Sequence, residues 1–209
     1  MLHTETVEPH TLLILKELMS IPELQDFYLV GGTCLSLRYG HRKSIDLDLF
    51  SNKNFDIDFI IQLLEKNFGG FESRQTGNAI GIFGFIDDVK VDLVKYHFFE
   101  TIDEPIVEQG IRMYSDKDIM AMKVFAILKR AQKKDFWDVA ELLGHYSIKD
   151  FMSSYNQKYP NHQLPISIPQ ALIYFEEAND SDDPVSLKGQ TWSSVKKEIQ
   201  KKVSEYLKY

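Results

Sequence analysis

Two adjoining stretches, LVGGTCLSLR at residues 29–38 and GHRKSIDLDLF at residues 40–50, decide the fold of this chain. Residues 45–50 alternate between apolar and acidic, a period of two that predicts a half-buried strand. Before them, an apolar strand over residues 27–30 runs into two glycines, and a short helix is expected to follow as far as Tyr39. The first half of the chain is therefore predicted to be mixed α/β.

The alternation places Asp46 and Asp48 on one face of the second strand, opposite its apolar side chains. A hard cation prefers oxygen ligands and would relieve the repulsion between the two carboxylates. Asp92 lies in a similar Val-Asp-Leu pattern on a later predicted strand. If the two strands are neighbours, the three carboxylates could hold two Mg²⁺ ions for an in-line displacement at a phosphate. The alternative is that all three are ordinary exposed strand residues.

Gly31, Gly32 and Thr33 stand between a strand and a predicted helix. Glycines allow the backbone to approach a phosphate closely, and the N-terminus of a helix offers free N–H groups. Twelve residues separate Thr33 from Asp46, so this turn and the carboxylates could lie at the same end of adjacent strands. Taken alone, the turn could equally be a plain strand-to-helix connection.

Together with a later segment, these stretches resemble the AbiEii/AbiGii toxin family, which belongs to the polymerase-β-like nucleotidyltransferases. The later segment is DIMAMK at residues 118–123, followed by Arg130 and by KDFWD at residues 134–138. The resemblance covers residues 27–143. It implies an α/β nucleotidyltransferase fold with a mixed sheet and flanking helices.

The resemblance also implies an activity, which is transfer of a nucleoside monophosphate from a nucleoside triphosphate (NTP) to an acceptor hydroxyl, with Mg²⁺ or Mn²⁺. It further implies a toxin of a bacterial toxin–antitoxin or phage-defence pair that acts on tRNA, with a separately encoded antitoxin as partner. The implied metal ligands are Asp46, Asp48 and Asp92; the implied nucleotide-binding residues are Gly31, Gly32, Thr33, Lys123 and Arg130; and Asp135 or Asp138 would complete the catalytic site.

The region after residue 114 is predicted to be helical, which divides the chain into a catalytic core (residues 1–114) and a helical part (residues 115–209). Its first helix, residues 116–131, is apolar nearly all round and carries Lys123. A buried cation must be paired with a carboxylate or a phosphate, although Lys123 could instead reach the surface along its own stem. Asp135 and Asp138 share a face of the next helix, where they could also serve the helix dipole and a Lys134–Asp138 pair.

Further strands are predicted at residues 71–75, 79–85, 89–94 and 111–114, the first three as an antiparallel meander. Ser115 and Asp118 predict a capping box at the start of the helix that follows. Phe125, Phe136 and Trp137 are interpreted as core residues rather than as platforms for bases. Arg42, in the loop before the acidic strand, could steer a phosphate.

The formal net charge of −7 argues against general binding of polyanions, so any RNA is expected at a local basic patch. Four residues form the densest such patch: Lys129, Arg130, Lys133 and Lys134. One cysteine and no apolar run of about 18 residues suggest a cytoplasmic protein without a membrane partner. Other functions stay open: an NTP-binding module without turnover, or a transferase that modifies a small molecule such as an aminoglycoside, or a protein.

Overall fold

The computed structural model describes residues 1–74 and 80–208, so the predicted Thr76-Gly77-Asn78 turn lies outside the described residues. Within them, seven strands form one mixed sheet in the order β3-β4-β5-β2-β1-β7-β6. The strands are β1 (Phe27–Leu29), β2 (Leu47–Ser51), β3 (Phe71–Ser73), β4 (Gly81–Ile86), β5 (Val89–Lys95), β6 (Ile106–Glu108) and β7 (Ile111–Met113).

The centre of the sheet is formed by β2, which pairs antiparallel with β1 on one side and parallel with β5 on the other. From β5 to that edge of the sheet, the strands β5, β4 and β3 form the predicted antiparallel meander. On the other edge, β7 runs parallel to β1 and pairs antiparallel with β6, a strand that the sequence pattern did not predict. The mixed α/β fold with flanking helices is therefore confirmed.

Helices flank the sheet and make up most of the chain after β7. They are α1 (Pro9–Ser20), α2 (Gly31–Tyr39), α3 (Ile57–Asn67), α4 (Asp116–Arg130), α5 (Lys133–Leu142), α6 (Ile148–Lys158), α7 (Ile168–Leu172) and α8 (Trp192–Tyr206). The described residues contain no helix that combines the length and the apolar character needed to cross a bilayer.

Helix α4 is the buried element that joins the sheet to the later helices. Its residues Ile119, Met120 and Val124 are fully buried, and it packs against α5, α6 and α7. Lys123 is buried among them, as the apolar pattern of this helix suggested. All strands precede Ser115 and the long helices α4, α5, α6 and α8 follow it, but the division into two domains stays a prediction.

Three local predictions were wrong, each for an identifiable reason. Ile45 was expected in the core, but β2 begins only at Leu47, and the Ile45 side chain is 64% exposed. The glycine pair was expected to be a turn, but α2 already begins at Gly31. The capping box of α4 is half formed: Ser115 accepts a hydrogen bond from the Asp118 backbone, while the Asp118 carboxylate instead pairs with Lys158 and the backbone of Ile102.

Candidate active site

Two of the predicted carboxylates are direct neighbours in the sheet. Because β2 and β5 run parallel, Asp48 on β2 is the register partner of Asp92 on β5. Asp46 lies immediately before β2. Asp46 and Asp48 both line a cavity of about 320 Å³, which Gly31, Gly32 and Thr33 also line. The fold thus brings the glycine pair and the acidic strand together, as their spacing suggested.

The three carboxylates have different surroundings. Asp92 is mostly buried, and its Oδ2 accepts a hydrogen bond of 2.5 Å from Lys90 Nζ. Asp46 lies 3.6 Å from the ammonium of Lys134. Burial raises the pKa of Asp48, and the negative charges of Asp92 and Asp46 raise it further, while Lys90 opposes them. A positive charge beside Asp48 would therefore stabilise its ionised form.

These residues are chemically suited to Mg²⁺ or Mn²⁺. All three ligands are carboxylates, which hard cations prefer. Oδ1 of Asp92 is buried and has no hydrogen-bond partner among the described residues, and Asp92 lies beside Asp48 without being part of the cavity lining. The carboxylates are not gathered around one point, however: no group of three His, Cys, Asp or Glu side chains in the described ranges has the spacing of a metal site.

The first turn of α2 has no room for side chains larger than hydrogen at two positions. Gly31 has φ of +69°, and a Cβ there would lie 3.0 Å from Oδ2 of Asp48. A Cβ on Gly32 would overlap the guanidinium of Arg42. The glycines therefore let a carboxylate and a guanidinium approach the N-terminus of the helix from two sides.

Thr33 holds the loop before β2 in place. Its side chain is nearly completely buried; its hydroxyl donates to the carbonyl oxygen of Asp46 and lies 2.8 Å from the hydroxyl of Ser44. Any contact of Thr33 with a phosphate would therefore come from its backbone N–H, at the N-terminus of α2.

A buried ionic network surrounds Asp138 on α5. Arg42 binds both carboxylate oxygens, with Nε at 2.7 Å and Nη2 at 2.9 Å. Lys123 Nζ lies 2.6 Å from Oδ2, and His41 Nε2 lies 2.7 Å from Oδ1. Asp138 thus connects the loop before β2 with α4 and α5.

Asp135 extends this network toward the cavity. Its Oδ1 lies 2.9 Å from Lys123 Nζ and 3.7 Å from Arg130 Nη2. Three cations (Arg42, Lys123 and Arg130) therefore face two carboxylates. These cations line the same cavity as Asp46 and Asp48, so groups of both signs meet there.

The network holds its members in their charged forms. Burial alone would raise the pKa of Asp138, but Arg42 and Lys123 hold that pKa well below its ordinary value. Burial would lower the pKa of Lys123, but Asp138 and Asp135 raise it overall. The network thus supplies fixed charges to the wall of the cavity.

The structure distinguishes between the alternatives for these residues. Lys123 does not reach the surface but is paired with carboxylates, and the expected Lys134–Asp138 pair is absent because Lys134 points to Asp46. Asp135 lines the cavity, whereas Asp138 lies behind Arg42 and Lys123. Lys123 and Arg130, both implied to bind the nucleotide, line the cavity.

Two residues of the site were not expected from the sequence. Arg42 was predicted only to steer a phosphate, yet it is buried and held by Asp138, a partner that no local pattern indicates. Tyr159, which follows α6 in the last part of the chain, also lines the cavity, and no feature of the local sequence indicated this.

The aromatic residues divide into two groups. Phe136 and Trp137 are fully buried, as expected for core residues. Phe125, also expected in the core, instead lines the cavity together with Tyr96 and Tyr159. The cavity therefore has a charged part around the glycines and an aromatic part.

Comparisons with known proteins agree with this geometry. Residues 13–204 match the model of a family described as the nucleotidyl transferase AbiEii toxin, type IV toxin–antitoxin system. The uncharacterized protein aq_aa25 of Aquifex aeolicus (strain VF5) is 32% identical over 92% of this chain and 94% of its own length.

Solved structures with low sequence identity share the fold. MenT4, a nucleotidyltransferase toxin of Mycobacterium tuberculosis H37Rv, has a TM-score of 0.61 at 12% identity, over 96% of this chain and 84% of that one. JHP933 of Helicobacter pylori has a TM-score of 0.60 at 17% identity, over 97% and 94% of the two chains. The family match spans nearly the whole chain, including the carboxylates, the glycine pair and the helices that carry Lys123 and Asp138. The chain belongs to the AbiEii family of nucleotidyltransferase toxins.

Proposed function

We propose that this nucleotidyltransferase is metal-dependent and transfers a nucleoside monophosphate from an NTP to a hydroxyl of tRNA. The observation that carries the proposal is the register pairing of Asp48 with Asp92, beside a cavity that Arg42, Lys123 and Arg130 also line. Carboxylates suit the metal ions, and the cations suit the polyphosphate.

In the proposed site, Asp46, Asp48 and Asp92 hold Mg²⁺ or Mn²⁺. When bound, the metal would neutralise charge on the triphosphate and lower the pKa of the attacking hydroxyl. The two lysines that now balance the carboxylates, Lys90 and Lys134, lie on flexible stems and can turn toward other anions.

The N-terminus of α2 and the network bind the triphosphate. The backbone N–H groups of Gly31, Gly32 and Thr33 face the phosphates, and Lys123 and Arg130 pair with their oxygens. Asp138 is a positioning residue in this scheme, because it lies behind Arg42 and Lys123 and holds both. Asp135 also holds Lys123 but lines the cavity itself, so it keeps the catalytic role first expected of the pair.

The chemical step is an in-line displacement. The acceptor hydroxyl oxygen bonds to the α-phosphorus, and the bond from that phosphorus to the bridging oxygen of the pyrophosphate breaks. Pyrophosphate leaves with the bonding electrons. Asp92 helps to position the acceptor hydroxyl, whose proton passes to a carboxylate of the site.

A polyanionic acceptor is supported by the side chains beside the cavity. Arg130 is 53% exposed and Lys134 38% exposed, and the exposed Lys129 precedes Arg130 on α4. Lys133, the fourth member of the predicted basic patch, is instead tied to Asp183. Three cations at the entrance favour an acceptor with phosphates over a cationic small molecule such as an aminoglycoside.

The reaction is tested by incubating the protein with each labelled NTP, Mg²⁺ and total bacterial tRNA, beside the Asp48→Ala variant. We expect label on tRNA with the wild type alone. If pyrophosphate is released only when a protein or a small molecule is supplied, that acceptor is the substrate in place of tRNA. Binding of Mg²⁺-NTP without turnover under any condition would reduce the chain to a nucleotide-binding module.

The toxin role is tested in cells. We propose that expression of this chain without its separately encoded antitoxin stops bacterial growth through the transferase reaction. Growth arrest by the wild type, and normal growth with equal amounts of Asp48→Ala, is the expected result. Equal arrest by both proteins would show that toxicity does not depend on this site.

A further inference from the structure

The aromatic part of the cavity continues the two strands that carry the carboxylates. Phe50 follows Asp48 by two residues on β2, and Val94 and Tyr96 follow Asp92 at the same spacing on and just after β5. Successive side chains of a strand alternate between faces, so these residues share the face of the carboxylates and lie about 7 Å further along per pair of residues. The aromatic part thus begins beside the proposed phosphate site.

The rings of this part are held in place by their neighbours. The Tyr96 ring centroid lies 4.9 Å from that of Phe50, and Lys158 Nζ lies 5.4 Å from the ring. The Tyr159 ring centroid lies 5.2 Å from that of Phe125 on α4. Two aromatic walls, one on the sheet and one on the helices, are therefore arranged before any ligand binds.

One of the two hydroxyl hydrogens of Tyr96 and Tyr159 makes no hydrogen bond within the described part of the chain. Tyr96 Oη and Tyr159 Oη lie 2.5 Å apart and share one hydrogen bond. Burial raises the pKa of Tyr96 to about 12 and also raises that of Tyr159, so both hydroxyls stay protonated. Two hydroxyls have two hydrogens, and one bond between them uses one. Within residues 1–74 and 80–208, the second hydrogen has no acceptor.

We infer that this aromatic part, which we call the base subsite (Phe50, Tyr96, Phe125 and Tyr159), binds the nucleobase of the NTP, with Phe125 stacking on the base and the Tyr96–Tyr159 hydroxyl pair bonding its polar edge. The inference rests on the proposed function, since the triphosphate must lie at the glycines and Lys123. A nucleotide is a ligand that joins a polyanion to a flat aromatic ring with polar edges, which the two parts of this cavity match.

The two contacts have different consequences. Stacking accepts any base, because every base has a π-face. A hydrogen bond to a base edge distinguishes among bases, because each presents a different set of donors and acceptors. Phe125 therefore contributes affinity for all four NTPs, and the hydroxyl pair contributes preference among them.

The test compares the binding of each NTP and of inorganic tripolyphosphate, both with Mg²⁺, by calorimetry on the full chain. Tripolyphosphate carries the phosphates without the base. We expect the wild type to bind its best NTP at least tenfold more tightly than tripolyphosphate. Phe125→Ala should remove about tenfold of NTP affinity and leave tripolyphosphate affinity unchanged.

Tyr159→Phe, which keeps the ring, should change the order or spread of the four NTP affinities. The matched control is Tyr155→Phe, because Tyr155 is a neighbouring tyrosine whose hydroxyl bonds His162 and which does not line the cavity. Tyr155→Phe should leave the affinities for NTP and for tripolyphosphate unchanged. Thermal unfolding of each variant establishes that it is folded.

Equal affinity of the wild type for NTP and tripolyphosphate would overturn the base subsite and leave the proposed function intact. An equal loss of affinity for NTP and for tripolyphosphate in Phe125→Ala would also overturn the base subsite and leave the proposed function intact. Binding of neither ligand by the folded wild type would overturn the proposed function itself. Unchanged NTP preference in Tyr159→Phe would remove the hydroxyl pair from the inference.

Discussion

The guanidinium of Arg42 occupies the space that a side chain on Gly32 would need. This contact joins the first turn of α2 to the network around Asp138, because Arg42 binds both oxygens of that carboxylate. The glycine is thus required by a neighbouring cation, whether or not a phosphate binds there. The first turn of α2 and the network around Asp138 depend on each other.

Gly32→Ala is therefore expected to displace Arg42 and disturb the network. Since misplacing site groups by about 1 Å can lower rates about a hundredfold, we expect a loss of that order in pyrophosphate release. Gly69→Ala is the matched control, because a Cβ there meets no atom within 4 Å. Wild-type activity in Gly32→Ala would show that Arg42 can move without consequence.

Asp138→Asn is expected to destabilise the protein strongly. It leaves Arg42 and Lys123 buried with one fewer negative charge, and breaking a buried ion pair costs about 3–5 kcal/mol. Asp88→Asn, in the exposed turn between β4 and β5, should change the free energy of unfolding by less than about 0.5 kcal/mol. Denaturant unfolding measures both. A loss equal to that of the control would contradict a structural role for the network.

The pH dependence of this destabilisation has a definite sign. The pKa of Asp138 is lowered on folding, so its stabilisation is fully present above the unfolded value of about 3.9. The stabilisation is lost as pH falls from there toward the folded pKa. The free energies of unfolding of wild type and Asp138→Asn should therefore differ by a constant amount above about pH 5, where Asp138 stays ionised in both states. Below about pH 4 the difference should become smaller. A difference that grows in acid would contradict the lowered pKa.

Lys90→Met is expected to raise the pKa of Asp48 further in the metal-free protein. Burial already raises this pKa, and the charge of Lys90 is the largest influence that opposes the rise. The measurement is a ¹³C NMR titration of the Asp48 carboxyl. The control is Lys53→Met, since Lys53 pairs with Asp26 and does not act on Asp48. A lower pKa in Lys90→Met would mean that Lys90 does not balance the site.

Leu187→Pro is expected to weaken nucleotide binding without touching the cavity. The backbone N–H of Leu187 donates to the carbonyl of His41, and Lys43 N donates to that of Val185, so this late segment fixes the loop that carries Arg42. Proline removes the Leu187 donor. We expect a severalfold higher KM for NTP. Leu187→Ala keeps the N–H and should retain the wild-type KM; equal effects of both variants would assign the role to the side chain.

The sheet and the acidic pair could be predicted because their signals are local. Alternation fixes which side chains share a face within β2, which placed Asp48 correctly; Asp46 lies just before the strand but lines the same cavity. The position of Asp92 beside Asp48 could not be predicted from a local pattern, because it depends on the non-local pairing of β2 with β5. Ile45 was misplaced because alternation continues past the end of the strand and cannot show where pairing begins.

The remainder of the site could not be predicted because it depends on contacts between distant segments. The Arg42–Asp138 pair joins residues 96 positions apart, and the Tyr96–Tyr159 pair joins residues 63 apart. Neither residue type signals such a partner, because arginine in a loop is usually solvated and tyrosine is common in cores. The placement of the cations at the cavity follows only once these pairs are known.

Because Arg42 pairs with Ser186, the site joins segments that are made early and late during protein synthesis. The loop that carries Arg42 leaves the ribosome early, whereas α4, α5 and the segment that fixes the loop are made much later. Domains generally fold as units once their parts have emerged. A nascent chain that holds the acidic strand and the glycines therefore lacks the partners of Arg42, and the candidate site cannot be completed until residues 185–187 have also been made.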